Sequence, residues 1–417
     1  MVKGGLSARG WANVGEIMPK ISAAVKERVQ LDNPSIDLAS AENWLIRPEL
    51  LDICRDAISS QLDAQDLSYP RAFAGFPEVL EAFASFFNTY FHPRLPVEVA
   101  HLATAPGAAS CLDTLFYNIC DPGDGILVPA PYWSGFDFQF KARSSVIPIP
   151  VATNTIEDSL TVALIPALEE AYNNATCPVK AILMTNPSNP LAQCYPQSCI
   201  EECIRFCKRR NIHYISDEVY ALTSFPCPEM PDPVPFVSVL SLDIPKLGGD
   251  LSRVHTVWSP SKDFGQSGTR MGCTVTQSNP EMAVGLALAS NTTTSTLSSI
   301  FVATLLTSQD VPKLLALNSD RLTESYQSLT TILRKHSIPY VPAYAGLYLF
   351  AKIAPDAKTW DDESRVVQMF KTAGVLVSSG KAYKGPDNER GWARIGFAVE
   401  KTKMEEALSR IDRALTE

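Results

Sequence analysis

The chain has 417 residues, of which 46% are hydrophobic and 19% charged, a composition typical of soluble globular proteins. Its formal net charge of −9 argues against nucleic acid or an anionic membrane surface as the main partner. No run of about 18 apolar residues predicts a membrane span, and residues 1–6 lack the apolar stretch of a secretory signal. Ten cysteines without regular spacing do not resemble a disulfide framework, so we expect a cytoplasmic protein.

The N-terminal part of the chain is predicted to be mainly helical. Its first thirty residues predict an arm and a short helix that ends near Asn33-Pro34, and a strand-like segment from Ile36 follows. Amphipathic helices are predicted at 47–61 and 78–90, on either side of a turn-rich loop at 69–77.

Small residues at Gly107, Ala108, Ala109 and Ser110 introduce the next predicted helix. Backbone amides at such a helix start can approach an anion closely, and the helix dipole favours the negative charge. The same residues would also suit a helix start that is merely crowded by packing.

Strands and helices then alternate along the chain. The predicted strands are 125–128, 146–151, 179–184, 212–216 and 254–258, with helices at 163–173 and 197–210. Most of these strands are continuously hydrophobic, which predicts a largely parallel sheet that is covered on both faces by helices. Pro148 and Pro150 place their strand at the sheet edge.

Three cysteines, Cys199, Cys203 and Cys207, recur every four residues on one face of the helix 197–210. Three thiolates could bind a metal ion, but the spacing matches no metal motif. Because cysteine is also a common small core residue, we favour core packing.

The segment after strand 254–258 contains Lys262 among small polar residues. A lysine that is desolvated there has a lowered pKa and can form a Schiff base with a carbonyl compound. Ser259, Ser261 and Arg270 would suit a phosphate dianion. A carbonyl group together with a phosphate describes pyridoxal 5'-phosphate (PLP), although a surface loop with a solvated lysine would fit this segment alone.

Other polar side chains follow neighbouring strands, at the edge where α/β sheets bind ligands. Asp217 could bind a protonated pyridine nitrogen, while Asn189 and Tyr220 could donate to the phenolic oxygen of the ring. Trp133 could stack on the ring or belong to the core. The amides of residues 107–110 would join Arg270 on the phosphate.

These residues occur in motifs that resemble the class I/II aminotransferase superfamily (PLP fold type I), and within it the 1-aminocyclopropane-1-carboxylate (ACC) synthase branch. The resemblance spans nearly the whole chain and rests on Ala39-Ser40-Ala41-Glu42-Asn43, Gly75-Phe76-Pro77-Glu78, Asp121-Pro122-Gly123-Asp124, Pro131-Tyr132-Trp133, Asn186-Pro187-Ser188-Asn189-Pro190-Leu191, Ser216-Asp217-Glu218-Val219-Tyr220, Ser259-Pro260-Ser261-Lys262-Asp263 and Gly391-Trp392-Ala393-Arg394.

The resemblance implies an α/β fold with a mostly parallel sheet between helices, plus a smaller α/β domain from both chain ends. We expect an N-terminal arm and part of the small domain in 1–48, a large PLP-binding domain in 49–309 and a C-terminal small domain in 310–417, with a linking helix at 311–335. It also implies a homodimer with shared active sites, in which Tyr69 or a hydroxyl of residues 290–295 reaches the phosphate of the other subunit.

For the site, the resemblance implies that Lys262 is the Schiff-base lysine and that Arg394 binds the α-carboxylate of an amino acid substrate, although a surface salt bridge is the simpler role for an arginine. Glu42 matches a glutamate of the ACC synthase branch, near the substrate side chain. No metal site is expected. We predict a lyase that eliminates a sulfonium or other sulfur leaving group, with an aminotransferase or a non-catalytic PLP-binding protein as alternatives.

Three departures from the ACC synthase pattern bear on the substrate. Phe73 stands where a tyrosine is usual, Ala192 replaces a glycine after Leu191, and residues 378–383 replace a Ser-Pro-Gly-Ser segment. These changes argue against S-adenosylmethionine as the substrate.

Overall fold

The computed structural model describes residues 5–29 and 35–416. Its α-helices are α1 (Ala8–Val29), α2 (Arg47–Gln61), α3 (Pro77–Tyr90), α4 (Ala108–Ile119), α5 (Phe136–Ala142), α6 (Leu164–Asn173), α7 (Gln197–Arg210), α8 (Pro260–Asp263), α9 (Pro280–Ser290), α10 (Thr296–Thr307), α11 (Val311–Lys335), α12 (Trp360–Thr372) and α13 (Lys401–Ala414). Its β-strands are β1 (Ile36–Asp37), β2 (Leu102–Ala105), β3 (Gly125–Pro129), β4 (Ile147–Val151), β5 (Val179–Thr185), β6 (His213–Asp217), β7 (Val254–Trp258), β8 (Gly272–Thr276), β9 (Tyr340–Val341), β10 (Tyr348–Ala351), β11 (Val375–Leu376), β12 (Ser378–Ser379) and β13 (Ala393–Gly396).

Seven strands form the central sheet, in the order β2-β8-β7-β6-β5-β3-β4. The five strands from β7 to β4 run parallel, whereas β8 is antiparallel to both of its neighbours. Successive side chains of a strand point to opposite faces. Accordingly Ile126 packs in one core cluster with α4, α5 and α9, while Leu127 packs in another with α6 and α7. Helices on both faces confirm the predicted α/β architecture.

Several element boundaries agree with the hydrophobic pattern. The helices α2, α7 and α11 have the predicted bounds, and β4 with its two prolines lies at the sheet edge. The predicted short N-terminal helix was wrong in length, because α1 has 22 residues. Its predicted end near Asn33-Pro34 lies outside the described residues.

The C-terminal elements form smaller sheets. A four-stranded antiparallel sheet has the order β12-β13-β10-β9. The strand β1 pairs in parallel with β11, which joins the N-terminal segment to the C-terminal part of the chain. The helix α11 lies between the two parts in sequence. The division into domains at residues 48 and 309 stays a prediction.

The three cysteines of α7 are buried in the core beside the central sheet, as core packing predicts. In the described part of the chain, no group of three or more His, Cys, Asp or Glu side chains is placed to hold a metal ion. Among these same residues no single helix is long and apolar enough to cross a membrane, although α10 and α11, bent by 89°, meet that criterion as a pair by length and composition.

Candidate active site

A cavity of about 1020 Å³ lies at the edge of the central sheet where its parallel strands end. Loops that follow β3, β5, β6 and β7 form one wall, and residues 378–384 form part of the other. Eleven of the predicted site residues line it: Glu42, Ala108, Ala109, Trp133, Asn189, Asp217, Tyr220, Ser261, Lys262, Arg270 and Arg394. Gly107, Ser259 and Tyr69 are not part of this lining.

The short helix α8 presents the lysine directly after β7. Ser259 caps the helix by accepting a hydrogen bond from the Ser261 amide at 3.2 Å, and Pro260 occupies its first turn. The Ser259 hydroxyl also donates to the carbonyl of Met271 at 2.7 Å. The structure therefore uses Ser259 to hold Ser261 at the cavity wall.

The Lys262 side chain is partly buried, and its Nζ donates to the carbonyl of Ala41 at 2.6 Å. Burial first, and then the positive charge of Arg394, lowers the pKa of Lys262 to about 8. A substantial fraction of the amine is therefore neutral near physiological pH, which a nucleophile or proton acceptor requires.

Asp217 ends β6 and is buried. Burial raises the pKa of Asp217 to about 7, although the Thr185 hydroxyl, which donates to Oδ2 at 3.2 Å, lowers it. The other oxygen, Oδ1, is buried and has no hydrogen-bond partner. An unpaired buried acceptor is costly, so this atom needs a donor from a bound molecule.

The start of α4 is built around the Arg270 guanidinium. Nη2 of Arg270 donates to the carbonyl of Pro106 at 2.9 Å, and Nη1 donates to that of Ser267 at 2.7 Å. Gly107, which precedes α4, has φ of +84°, and a Cβ atom there would lie 2.4 Å from Nη2. Glycine therefore lets a fixed positive charge lie beside the first amides of Ala108–Ile119, an arrangement that suits a phosphate.

The Arg394 side chain is buried on β13, between two aromatic rings that the sequence did not mark as site residues. Its guanidinium carbon lies 4.6 Å from the centre of the Tyr348 ring and 5.4 Å from that of Tyr383. Nη1 donates to Asn189 Oδ1 at 3.0 Å, and Nη2 donates to the carbonyl of Ala39. A surface salt bridge is therefore not its role, because the guanidinium is held by neutral acceptors at the cavity wall.

Tyr220 lies beside this arginine, and its ring meets that of Tyr348 edge to face at 5.5 Å between centroids. Burial raises the pKa of Tyr220 to about 12. The hydroxyl therefore keeps its proton at physiological pH and can donate a hydrogen bond.

Glu42 stands on the cavity wall next to the residue that binds Lys262 Nζ. Its carboxylate forms an ion pair with Arg47 at 3.1 Å, and the Arg47 guanidinium stacks 3.5 Å above the Trp44 ring centre. The negative charge of Glu42 is therefore partly compensated before any substrate enters.

Tyr69 does not reach the cavity of its own chain. Tyr69 is 84% exposed, and Phe73, four residues later, is 52% exposed. The hydroxyl-rich residues 290–295 connect α9 to α10 and also lie outside the cavity lining. Any contact of these residues with a phosphate would have to be made in another subunit.

Comparison with known proteins decides the family. A family model, aminotransferase class I and II, matches residues 36–411. The chain belongs to this family. It is 54% identical over 411 residues to probable aminotransferase aclI of Aspergillus oryzae, across 99% of this chain and 98% of that protein.

Two further comparisons bear on the predicted branch and on the fold. The chain is 30% identical to 1-aminocyclopropane-1-carboxylate synthase 6 of Arabidopsis thaliana, over 91% of this chain and 78% of that protein. An aspartate aminotransferase double mutant of Thermus thermophilus covers 98% of this chain and 99% of its own, with a TM-score of 0.79 and 22% identity. This structural similarity confirms PLP fold type I, and the synthase relative supports the predicted branch.

The family and its fold identify the protein as an enzyme with PLP as its cofactor, and the described residues fit that group. The orphaned Asp217 Oδ1 suits a pyridine N–H donor, and the close approach of Gly107 to Arg270 brings a guanidinium to the start of α4, which suits a phosphate. Lys262 supplies the amine for the aldehyde. Asp217, Arg270 and Lys262 line the same cavity, so one PLP molecule would meet all three.

Proposed function

We propose that the enzyme is a carbon–sulfur lyase that acts on an S-substituted amino acid and releases its sulfur as a thiol. The observation that carries the proposal is the position of Glu42, which lines the same cavity as Lys262 and directly follows Ala41, whose carbonyl Nζ contacts. Elimination needs a proton at the leaving sulfur, and an acidic group beside the lysine can deliver or relay it. Transamination needs no such group toward the substrate side chain.

The proposed roles of the cofactor-binding residues follow from their chemistry. Asp217 would hold a proton on the ring nitrogen, Tyr220 and Asn189 would donate to the phenolic oxygen, and Trp133 would cover the ring. Arg270, Ser261 and the amides of Ala108 and Ala109 would bind the phosphate. When bound, PLP supplies an electron sink for the pair left at Cα.

The chain's own residues then move one proton. Arg394 would bind the α-carboxylate and fix the substrate orientation. Lys262 Nζ would take the Cα proton, and Lys262 with Glu42 would return a proton to sulfur as the Cβ–S bond breaks. A free thiol has a pKa of about 8.5, close to that of Lys262, so this transfer is nearly balanced in free energy. The products are a thiol and 2-aminoacrylate, which water converts to pyruvate and ammonia.

A neutral thioether suits this site better than a sulfonium. A cationic leaving group would have to compete with Arg47 for the Glu42 carboxylate, whose partner lies only 3.1 Å away. A departing thiolate is instead favoured by the positive charges of Lys262 and Arg394. This reasoning places S-adenosylmethionine behind cysteine S-conjugates as the candidate substrate.

The second candidate is an aminotransferase, because the Aspergillus oryzae relative carries that name. We would incubate the PLP-loaded protein with S-benzyl-L-cysteine and S-adenosylmethionine, with and without 2-oxoglutarate, and identify products by mass spectrometry. A thiol and pyruvate without any oxo acid would support the lyase. Turnover that requires the oxo acid and yields stoichiometric glutamate would exclude it, and a spectral response without turnover would indicate a binding protein.

We also propose a homodimer in which Tyr69 binds the phosphate of the other subunit. The support is the exposure of Tyr69 and of nearby Leu67, which is 86% exposed; both lie in the segment between α2 and α3. Phe73 of the same segment is also exposed, and clustered exposed apolar side chains are typical of interaction surfaces. The cytoplasmic location stays a prediction.

A further inference from the structure

The helix α12 carries a buried carboxylate that the proposed chemistry does not use. Glu363 has no exposed surface. Its Oε1 accepts hydrogen bonds from the Ser379 hydroxyl at 2.5 Å and the Lys381 amide at 2.9 Å. Its Oε2 accepts from the amides of Gly391 and Trp392 at 3.0 and 3.2 Å. One side chain therefore binds four neutral donors.

These donors stand at the two ends of one loop, residues 380–392, which joins β12 to β13. The Gly380 amide also donates to the Trp392 carbonyl at 2.7 Å, where the two ends meet. The approach is tight, since a Cβ on Gly380 would lie 2.6 Å from the Trp392 carbonyl oxygen and one on Gly391 only 2.0 Å from that of Ala354. Glu363 thus fixes the base of the loop to α12.

The same loop carries part of the candidate active site. Tyr383 lines the cavity, and its ring packs against the Arg394 guanidinium at 5.4 Å. Arg394 follows Trp392 by two residues and pairs with Ser378 across the β12–β13 ladder. The positions of both the ring and the guanidinium therefore depend on the loop base that Glu363 holds.

Stability alone is a weak reason for an anion at this place. A buried carboxylate is expensive to desolvate, and well-packed neutral groups often stabilise a core as well or better. Charge-assisted hydrogen bonds are shorter and stronger than neutral ones, so they restrict the geometry of their donors more tightly. Such restriction matters where a side chain must meet a ligand within a fraction of an ångström.

We propose that Glu363 is a positioning residue for substrate recognition, which holds the 380–392 loop so that Arg394 meets the α-carboxylate of the amino acid. The inference rests on the proposed function in one respect, the assignment of Arg394 to that carboxylate. It does not depend on whether the reaction is elimination or transamination.

The test compares two probes that differ in the carboxylate alone, S-benzyl-L-cysteine and S-benzyl-L-cysteinamide. Dissociation constants for the initial complex are measured on the PLP-loaded protein by stopped-flow, from the change in cofactor absorbance that precedes turnover. Glu363→Gln keeps the shape but turns an N–H₂ group toward two of the four donors. The preference for the acid over the amide should fall about 10-fold or more, while PLP remains bound. In an Arg394→Gln background the same substitution should add nothing.

Asp124→Asn is the matched control, because Asp124 is also a buried carboxylate but precedes β3, away from the cavity. It should lower the melting temperature without changing the acid-to-amide ratio. Ser379→Ala, which deletes one of the four donors, replaces Glu363→Gln if that variant does not fold, and should shift the ratio in the same direction by a smaller factor.

Two results would overturn the positioning role while leaving the proposed function intact. In the first, the wild type prefers the acid and Glu363→Gln retains the full preference. In the second, the variant weakens both probes equally, which is the signature of a structural role. A wild type with no preference for the acid would instead refute the assignment of Arg394 to the carboxylate, and with it the positioning role of Glu363, but not the lyase reaction.

Discussion

Burial moves the pKa values of Lys262 and Asp217 in opposite directions, to about 8 and about 7. A low-dielectric site disfavours the charged form of each group, so the ammonium loses its proton more readily and the carboxyl holds its proton longer. Without the cofactor, the folded protein therefore has two groups in one cavity whose charged forms are destabilised by burial. A pyridine N–H would relieve the strain at Asp217 by giving Oδ1 the donor that it lacks.

We predict that Asp217→Asn stabilises the apoprotein more at about pH 8 than at about pH 5. The carboxyl pKa is raised on folding, so the unfolded chain loses its proton first and stability falls as the pH rises from about 4 to about 7. The variant should melt on the order of 2 °C above the wild-type apoprotein at the higher pH. Thermal melts of both apoproteins at the two pH values measure the effect.

The same variant should bind PLP about 10 to 100 times more weakly, because a charge-assisted hydrogen bond is lost. A fluorescence titration with PLP measures this change. Equal melting temperatures at the higher pH together with unchanged PLP affinity would show that Asp217 does not serve the cofactor.

Glu42 offers a residue-scale test of the reaction type. Glu42→Gln should slow thiol release about 100-fold, because acid–base catalysis at sulfur is lost, while PLP binding changes little. Arg47→Gln is the control, since it removes the ion-pair partner at 3.1 Å but keeps the carboxylate. Stopped-flow measurement of thiol release compares the three proteins. Equal rates for Glu42→Gln and the wild type would remove Glu42 from the chemistry.

At the scale of elements, the site depends on the short connections between strands and the helices that follow them at one edge of the sheet. The Ser259 cap starts α8 directly after β7, which places Lys262 near the strand ends. The positive φ of Gly107 lets the start of α4 lie close to the Arg270 guanidinium. These are short backbone features that the surrounding packing holds in place. A small change in them should alter ligand binding more than overall stability.

Gly107→Ala should therefore weaken PLP binding at least tenfold, because the new methyl group would overlap the Arg270 guanidinium. Gly123→Ala is a matched control, since Gly123 also has a positive φ of +95° but has no atom within 4 Å of the added Cβ. Both variants carry backbone strain of about 1–2 kcal/mol. PLP titration and thermal melts separate the two effects, and equal PLP affinities would contradict the assigned phosphate site.

At the scale of the whole molecule, the single chain leaves Tyr69 and Leu67 in solvent. The proposed homodimer would cover them and complete each site with a residue of the other subunit. An isologous interface makes this exchange reciprocal, so each dimer would contain two equivalent sites.

This arrangement predicts complementation between two impaired variants. A mixed dimer of Tyr69→Ala and Lys262→Ala would contain one site with both residues intact. After the two proteins are unfolded and refolded together, activity should recover to about a quarter of the wild-type value. Each variant refolded alone is the control. Recovery no greater than the sum of the two controls would place Tyr69 outside the partner's site.

Much of the fold can be predicted from the local hydrophobic pattern, because buried positions are mostly occupied by apolar residues. Continuous apolar runs marked β3, β5 and β7, and paired prolines marked β4 as an edge strand. Residues at the carboxyl ends of the parallel strands, such as Asp217 at the end of β6 and Lys262 after β7, could be predicted as site residues because these strands end at a common edge. Membership of a well-marked family added Arg394 and Glu42.

The sequence by itself determined the fold class, the cofactor and most of the residues that line the cavity, because local hydrophobicity and short motifs predict each of them. Tertiary structure alone decided that Arg394 lies between Tyr348 and Tyr383, that Arg47 partly neutralises Glu42, and that Glu363 holds the loop beside the site. Most of these contacts join residues that are distant along the chain. Their energies depend on burial and hydrogen-bond geometry, which no local pattern records.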